Sequence, residues 1–204
     1  MEDQASALAG AGSAVGGVSF PWPMSTPPPH ATSPGDPADE GADAPEGRLK
    51  LFVYGLMMGP EGLSDALGDR KTGTLRLRPA RLPGWRRIWN VYHPDWNGAT
   101  LNVERRPDAT VVGVLIEGLS EEDFAVLDRR ESSRVPRETV YVQPMDGDPV
   151  SAQLYWKCKG NQDGRHSGRY RSVVQQRAYR AGWEVYESLC KASVDAAGEP
   201  LAFG

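Results

Sequence analysis

The chain has 204 residues, enough for one ordinary domain, and its net charge of −4 is unevenly spread: residues 1–47 carry seven acids and no Lys or Arg, which leaves 20 acids against 23 basic residues in the rest. A body that near neutral, with its arginines interspersed among acids, lacks the concentrated positive charge used to hold a phosphate backbone, so nucleic acid is not the expected partner. Two scattered cysteines and three scattered histidines form no disulfide framework and no metal-ligand spacing, and no run approaches the roughly 18 apolar residues a membrane span needs.

The first 47 residues hold 8 of the 17 prolines, including Pro27-Pro28-Pro29, among Ala, Gly and Ser. Such a segment buries too little apolar surface to offset the entropy of ordering it, and it reads as a disordered acidic tail. Its acidic start lacks the basic region and apolar run of a secretory signal, so the expected location is cytoplasmic. Residues 48–204 read as the folded domain.

Leu49 to Val53 alternates and then runs apolar, which predicts a strand ended by Gly55. A loop marked by Gly59-Pro60-Glu61-Gly62 follows, with a helical turn at Leu63 to Leu67. Lys71 to Leu82 alternates as a half-buried strand, and Pro83-Gly84 reads as a turn that closes it. Trp85 to Tyr92 predicts another strand, and Asp95-Trp96-Asn97-Gly98 a turn. Ala99 to Glu104 and Thr110 to Gly118 give two more strands around Arg105-Arg106-Pro107-Asp108, the second apolar enough to sit centrally in a sheet.

Ser120 with Asp123 has the pattern of a helix N-cap, and Glu121 to Arg130 the pattern of the helix it starts. Thr139 to Gln143 and Val150 to Trp156 predict strands separated by Asp146-Gly147-Asp148-Pro149, and Tyr170 to Lys191 one long terminal helix. Short connections and segregated helices make the class α+β, with a small closed or nearly closed mixed sheet.

Helical spacing places Glu131 about 20° from Phe124, between Leu127 and Asp128 and so on the inward face, if the helix reaches that far. A carboxylate aimed at the interior is desolvated, its pKa rises, and it can take and return a proton near neutrality. The competing reading puts Glu131 beyond the helix end, paired with Arg129, Arg134 or Arg137 at the surface. Asp128 competes for the same face and reads as a structural carboxylate. The junction Val53-Tyr54-Gly55-Leu56-Met57 has a second pair of readings: a simple turn, or a turn whose successive N–H groups hold a carboxylate or oxyanion. The tryptophans, among them Trp85, Trp89, Trp96, Trp156 and Trp183, fall mostly at core spacings.

Leu51 to Met57 resembles the Tyr-Gly-Ser-Leu loop that opens γ-glutamylcyclotransferase-like proteins, the family with AIG2-like and ChaC-like branches. Leu82-Pro83-Gly84-Trp85-Arg86 with Trp89-Asn90, Val112 to Leu115, Leu127-Asp128-Arg129-Arg130-Glu131 and Ser167-Gly168-Arg169-Tyr170 resemble later family segments, in the same order. The resemblance implies a β-barrel-like α+β fold with flanking helices, a cavity for a small γ-glutamyl substrate, and no cofactor or metal. It implies that Glu131 is the general acid/base, that Tyr54, Gly55, Leu56 and Met57 hold the substrate, and that Tyr170 lines the pocket. A core position is the other reading of Tyr170.

The implied reaction releases 5-oxoproline and a free amine from a γ-glutamyl amine or γ-glutamyl amino acid. Arg169 and Arg171 read either as a solvated segment or as a hold for an anionic part of that amine. Leu56 replaces the family's usual hydroxyl residue, and Ser132 to Pro136 lacks its usual Gly and Tyr, so substrate choice is expected to differ. The alternatives are an acyl hydrolase or transferase using the same pocket, and a non-catalytic small-molecule-binding or interaction domain. No membrane partner is expected; a homodimer is compatible with the sequence, which does not fix the oligomeric state.

Overall fold

The computed structural model describes residues 49–68, 72–131, 135–160 and 165–201. The acidic segment 1–47, Lys71 and Ser132 to Arg134 lie outside the described residues. Five strands close into a mixed barrel: β1 (Leu49–Val53), β2 (Arg76–His93), β3 (Gly98–Leu119), β4 (Arg137–Pro144) and β5 (Val150–Tyr155). Neighbours run β3-β1-β5-β4-β2, and β2 pairs with β3 to complete the ring. Every pairing in the ring is antiparallel except β1 with β5, where Leu51 faces Gln153 and Phe52 faces Leu154.

The two-residue period of the strands sorts their side chains into two cores. Phe52, Leu82, Trp85, Val103, Leu115, Val140, Val142 and Leu154, drawn from all five strands, fill the barrel. Leu51, Val53, Val114 and Ile116 face the other way and are covered by helices α1 (Pro60–Leu67), α2 (Glu121–Glu131), α3 (Gly168–Ala181) and α4 (Trp183–Ala192), which contribute Leu63, Phe124, Leu127, Val174 and Leu189. Removing each such side chain from water stabilises the fold by about 1.5–3 kcal/mol. The α+β class and barrel-like sheet expected from the sequence are what the chain forms, with the apolar run Val111 to Ile116 between β1 and β2.

Two expectations need correction, and one strand was not expected. Pro83-Gly84 is not a chain reversal: β2 runs straight through it, and the register jumps from Pro83 opposite Thr110 to Trp85 opposite Arg105. Gly84, at φ 79°, supplies a bulge, and the largely exposed Arg106 to Ala109 stretch of β3 takes up the excess, so the four separate strands expected are one long bent hairpin. The terminal helix is two helices, broken at Gly182, whose φ of 136° no helix accommodates. After α4 a short strand, β6 (Ser193–Asp195), runs parallel to β2 at Arg87 to Trp89, and the sequence gives no period long enough to announce it. Trp183 is exposed and Cys158 lies beyond β5, also exposed, whereas Trp85 and Trp89 are in the core.

Candidate active site

β1 ends at Val53 and the chain turns at once, with the Met58 N–H donating to the Gly55 carbonyl at 3.0 Å. Arg177, on α3, donates from Nη1 to the Leu56 carbonyl and from Nη2 to Asp65 Oδ2 at 2.7 Å, which fixes the turn from outside. Because a trans peptide sends its C=O and N–H in opposite directions, the Met57 N–H points away from Arg177. Among the described residues no backbone carbonyl takes the N–H of Leu56 or Met57. Leu56 and Met57 themselves pack partly on the helix-side core.

Helix α2 begins with a reciprocal cap. Asp123 N–H donates to Ser120 Oγ at 3.3 Å while Ser120 N–H donates to Asp123 Oδ2 at 2.9 Å. That start phases the helix so that Phe124 and Leu127 are fully buried, and it ends at Glu131, one residue beyond the expected Arg130. Glu131 is half-buried and lines a cleft of about 980 Å³ at one end of the barrel. Burial raises its pKa above the ordinary carboxylate value, against the opposing pull of Arg130 and His93. No hydrogen bond or ion pair ties it to another described residue. Of the surface partners considered for it, Arg137 is engaged elsewhere, its Nε 3.1 Å from Asp128 and its guanidinium over the Phe124 ring.

Ser167 caps α3 by accepting the Tyr170 N–H at 3.2 Å, and the Ser167 N–H donates to the Ala99 carbonyl at 3.0 Å, joining the helix start to β3. Tyr170 is thereby held in the core, 6% exposed, stacked edge-on against Trp89 and Trp96 and with its hydroxyl at Gly55. A Cβ on residue 55 would lie 3.2 Å from that oxygen, so the glycine is what lets turn and tyrosine meet. The two readings of Tyr170 are thus compatible: it is a core aromatic that also lines the cleft.

All six expected residues, Tyr54, Gly55, Leu56, Met57, Glu131 and Tyr170, line this one cleft. Burial raises the pKa of the Tyr54 hydroxyl, and the nearby Glu131 and Tyr170 raise it further, so Tyr54 stays protonated and donates to the Tyr155 carbonyl at 2.9 Å. Tyr155 also has a raised pKa, first from burial and then from its hydrogen bond to Asp128 Oδ1 at 2.6 Å. Asp128, read as structural, binds Tyr155 and Arg137.

Sequence reasoning missed Tyr155 because its partners, Asp128 on α2 and Tyr54 in the turn after β1, are far away in the chain. It also missed the buried Asn102, which accepts the Lys157 N–H at 3.0 Å and donates to the Lys157 carbonyl at 2.9 Å. An Asn at mid-strand was the available signal. Arg87 is 1% exposed, donates to the Val112 carbonyl at 2.6 Å, and has its pKa lowered to about 10 by burial. Among the described residues no cluster of three or more His, Cys, Asp or Glu side chains is placed to hold a metal, and no helix is long and apolar enough to cross a membrane.

The family model described as Gamma-glutamyl cyclotransferase, AIG2-like matches residues 51–187. Solved structures share the fold. The human uncharacterized protein loc79017 superposes with a TM-score of 0.61 at 19% identity, covering 78% of this chain and 92% of that one. A structure described as gamma-glutamyl cyclotransferase gives 0.60 at 18% identity over 76% and 90%. YkqA from Bacillus subtilis gives 0.59 at 18% identity over 70% of this chain and 52% of its own. No match was found among curated proteins.

Proposed function

We propose that this chain, which belongs to the γ-glutamyl cyclotransferase, AIG2-like family, releases 5-oxoproline and a free amine from a γ-glutamyl amine or γ-glutamyl amino acid. The observation that carries the reading is the placement of a desolvated, otherwise unpartnered carboxylate, Glu131, on the same cleft as the N–H-bearing turn Tyr54 to Met57.

Glu131 takes a proton from the substrate's α-ammonium. The freed amine nitrogen attacks the γ-carbonyl carbon, closing a five-membered ring while the carbonyl π electrons move to oxygen. Backbone N–H groups of the Leu56 and Met57 turn stabilise that oxyanion, the interaction that contributes most when it is formed by preorganised donors. The oxyanion then collapses, the γ-amide C–N bond breaks, and the proton held by Glu131 passes to the departing nitrogen, while the vacated carboxylate takes the second proton of the ring nitrogen, leaving a neutral lactam, and hands it to the released amine. Tyr54 and Tyr170, protonated and fixed, orient the glutamyl group. Nucleophile and electrophile belong to one molecule, so folding the substrate into its reactive conformer supplies much of the acceleration, and no cofactor takes part. Leu56, in place of a hydroxyl residue, leaves orientation to the backbone.

The test is release of 5-oxoproline, glutamate and amine from a panel of γ-glutamyl compounds. The wild type should form 5-oxoproline, and Glu131→Gln should slow it by about 10²–10⁴ with its fold intact. Glutamate in place of 5-oxoproline would mean that water, rather than the α-amine, is the nucleophile. Equal rates for wild type and variant would remove Glu131 from the mechanism.

A further inference from the structure

The reaction proposed above makes no use of Arg87, a charge whose burial the rest of the fold must offset. Its one hydrogen bond among the described residues runs from Nη2 to the Val112 carbonyl, while Nε and Nη1 are shut off from water without a partner there. No carboxylate among the described residues pairs with it either: the ionisable side chains near it are the hydroxyls of Tyr54 and Tyr170 and the thiol of Cys190. Burial lowers its pKa only to about 10, so it is charged at neutral pH.

The fold puts that charge behind the cleft. Arg87 and Trp89 share a face of β2, which pairs there without a break with Val103 to Leu101 of β3, and Trp89 stacks edge-on against Tyr170 at 5.6 Å. Tyr54 and Tyr170 line the cleft; Arg87 does not. Burial is the largest influence on both hydroxyls, but beyond it Glu131 raises their pKa and Arg87 lowers it, whereas neither of those two charges acts on the other. The tyrosine pair thus lies between an acid in the cleft and a cation behind it.

Resting on the cyclotransferase reading of this site, we propose that Arg87 is a positioning residue that supplies the counter-charge for the substrate's α-carboxylate, acting through Tyr54 and Tyr170, and so fixes which way round the glutamyl half lies. The α-carbon of a γ-glutamyl compound carries both an ammonium and a carboxylate. With the ammonium at Glu131, where its proton must be taken, the carboxylate faces the tyrosines and the opposite charge behind them. Away from water that attraction is stronger and less screened by salt than at a surface, and the ligand brings the partner that Arg87 otherwise lacks. Turned round, the same group would set ammonium toward cation and carboxylate toward acid.

Binding to the Glu131→Gln protein, measured by calorimetry, tests this apart from turnover. The probes are γ-glutamyl methylamide and 4-aminobutyryl methylamide, which differ only in the α-carboxylate. The first should bind about tenfold or more tightly. Adding Arg87→Met should erase most of that preference, while Arg87→Lys, which keeps the charge, should retain part of it. With Glu131 in place, Arg87→Met should raise KM for γ-glutamyl methylamide more than it lowers kcat. Three results would overturn the proposal: a preference undiminished in Arg87→Met or, should that variant not fold, in Arg87→Gln; a lower kcat with unchanged binding, which would move the charge to the oxyanion; or no folded protein from either variant, which would make Arg87 structural. Release of 5-oxoproline by the wild type tests the reaction separately. An Arg87-dependent preference without 5-oxoproline would sink the cyclotransferase and leave the counter-charge standing; 5-oxoproline release with a preference indifferent to Arg87 would do the reverse.

Discussion

The Glu131 carboxylate works against the fold that holds it. Its pKa is raised in the folded state by burial, so its favourable contribution to stability is complete below the ordinary carboxylate range and is lost as pH rises through the raised value. Glu131→Gln cannot ionise. It should therefore unfold at higher urea than wild type at pH 7, with the gap closing near pH 4, about the unperturbed value for Glu. A less stable variant at pH 7 would mean that the folded state holds the carboxylate with a partner. The rate of the proposed reaction should show the same group as an acid limb displaced upward.

Gly55 and Tyr170 make a second test at this scale. Gly55→Ala puts a methyl 3.2 Å from the Tyr170 oxygen and should cost about 1–2 kcal/mol in urea denaturation. Tyr170→Phe removes that oxygen, so the double variant should be less damaged than the two losses added together. Strict additivity would show that no such contact is strained. The inward direction of Glu131 could be read from helical spacing alone, because Phe124 and Leu127 fix the phase. The bond between Asp128 and Tyr155 could not, since it joins α2 to β5 and no local period encodes the meeting.

At the scale of elements, Ser167 links the start of α3 to β3 as well as capping the helix. Ser167→Ala should lose about 1 kcal/mol of stability by the loss of the cap. Because the cap also sets where Tyr170 sits, the variant should raise KM for the proposed γ-glutamyl substrate more than it lowers kcat. A stability loss with unchanged kinetics would separate the cap from the site. Strands were legible here where alternation is clean, as in β1, β4 and β5. The long hairpin was not, because Pro83-Gly84 and Arg106-Pro107 carry turn chemistry that the barrel uses for bulges. The helix break at Gly182 was missed for the opposite reason: one glycine in a run of good helix formers gives no local sign of its positive φ.

At the scale of the whole molecule, the six residues named from the order of family-like segments come to one cleft. Their convergence depends on ring closure, and it is the closure that spacing cannot show. β1 and β5 meet through only two facing pairs, and the bond from Tyr54 to the Tyr155 carbonyl spans 101 residues of chain. The β2–β3 hairpin can zip outward from its Asn97-Gly98 turn early, whereas the β1–β5 seam must wait for nearly the whole domain to be present and then bear the entropy of closing that loop. The cleft straddles the seam. A chain emerging from the ribosome would thus hold its hairpin and α2 before the cleft existed, and in refolding experiments the proposed cyclotransferase activity should return with the slowest phase, after most of the secondary structure has formed.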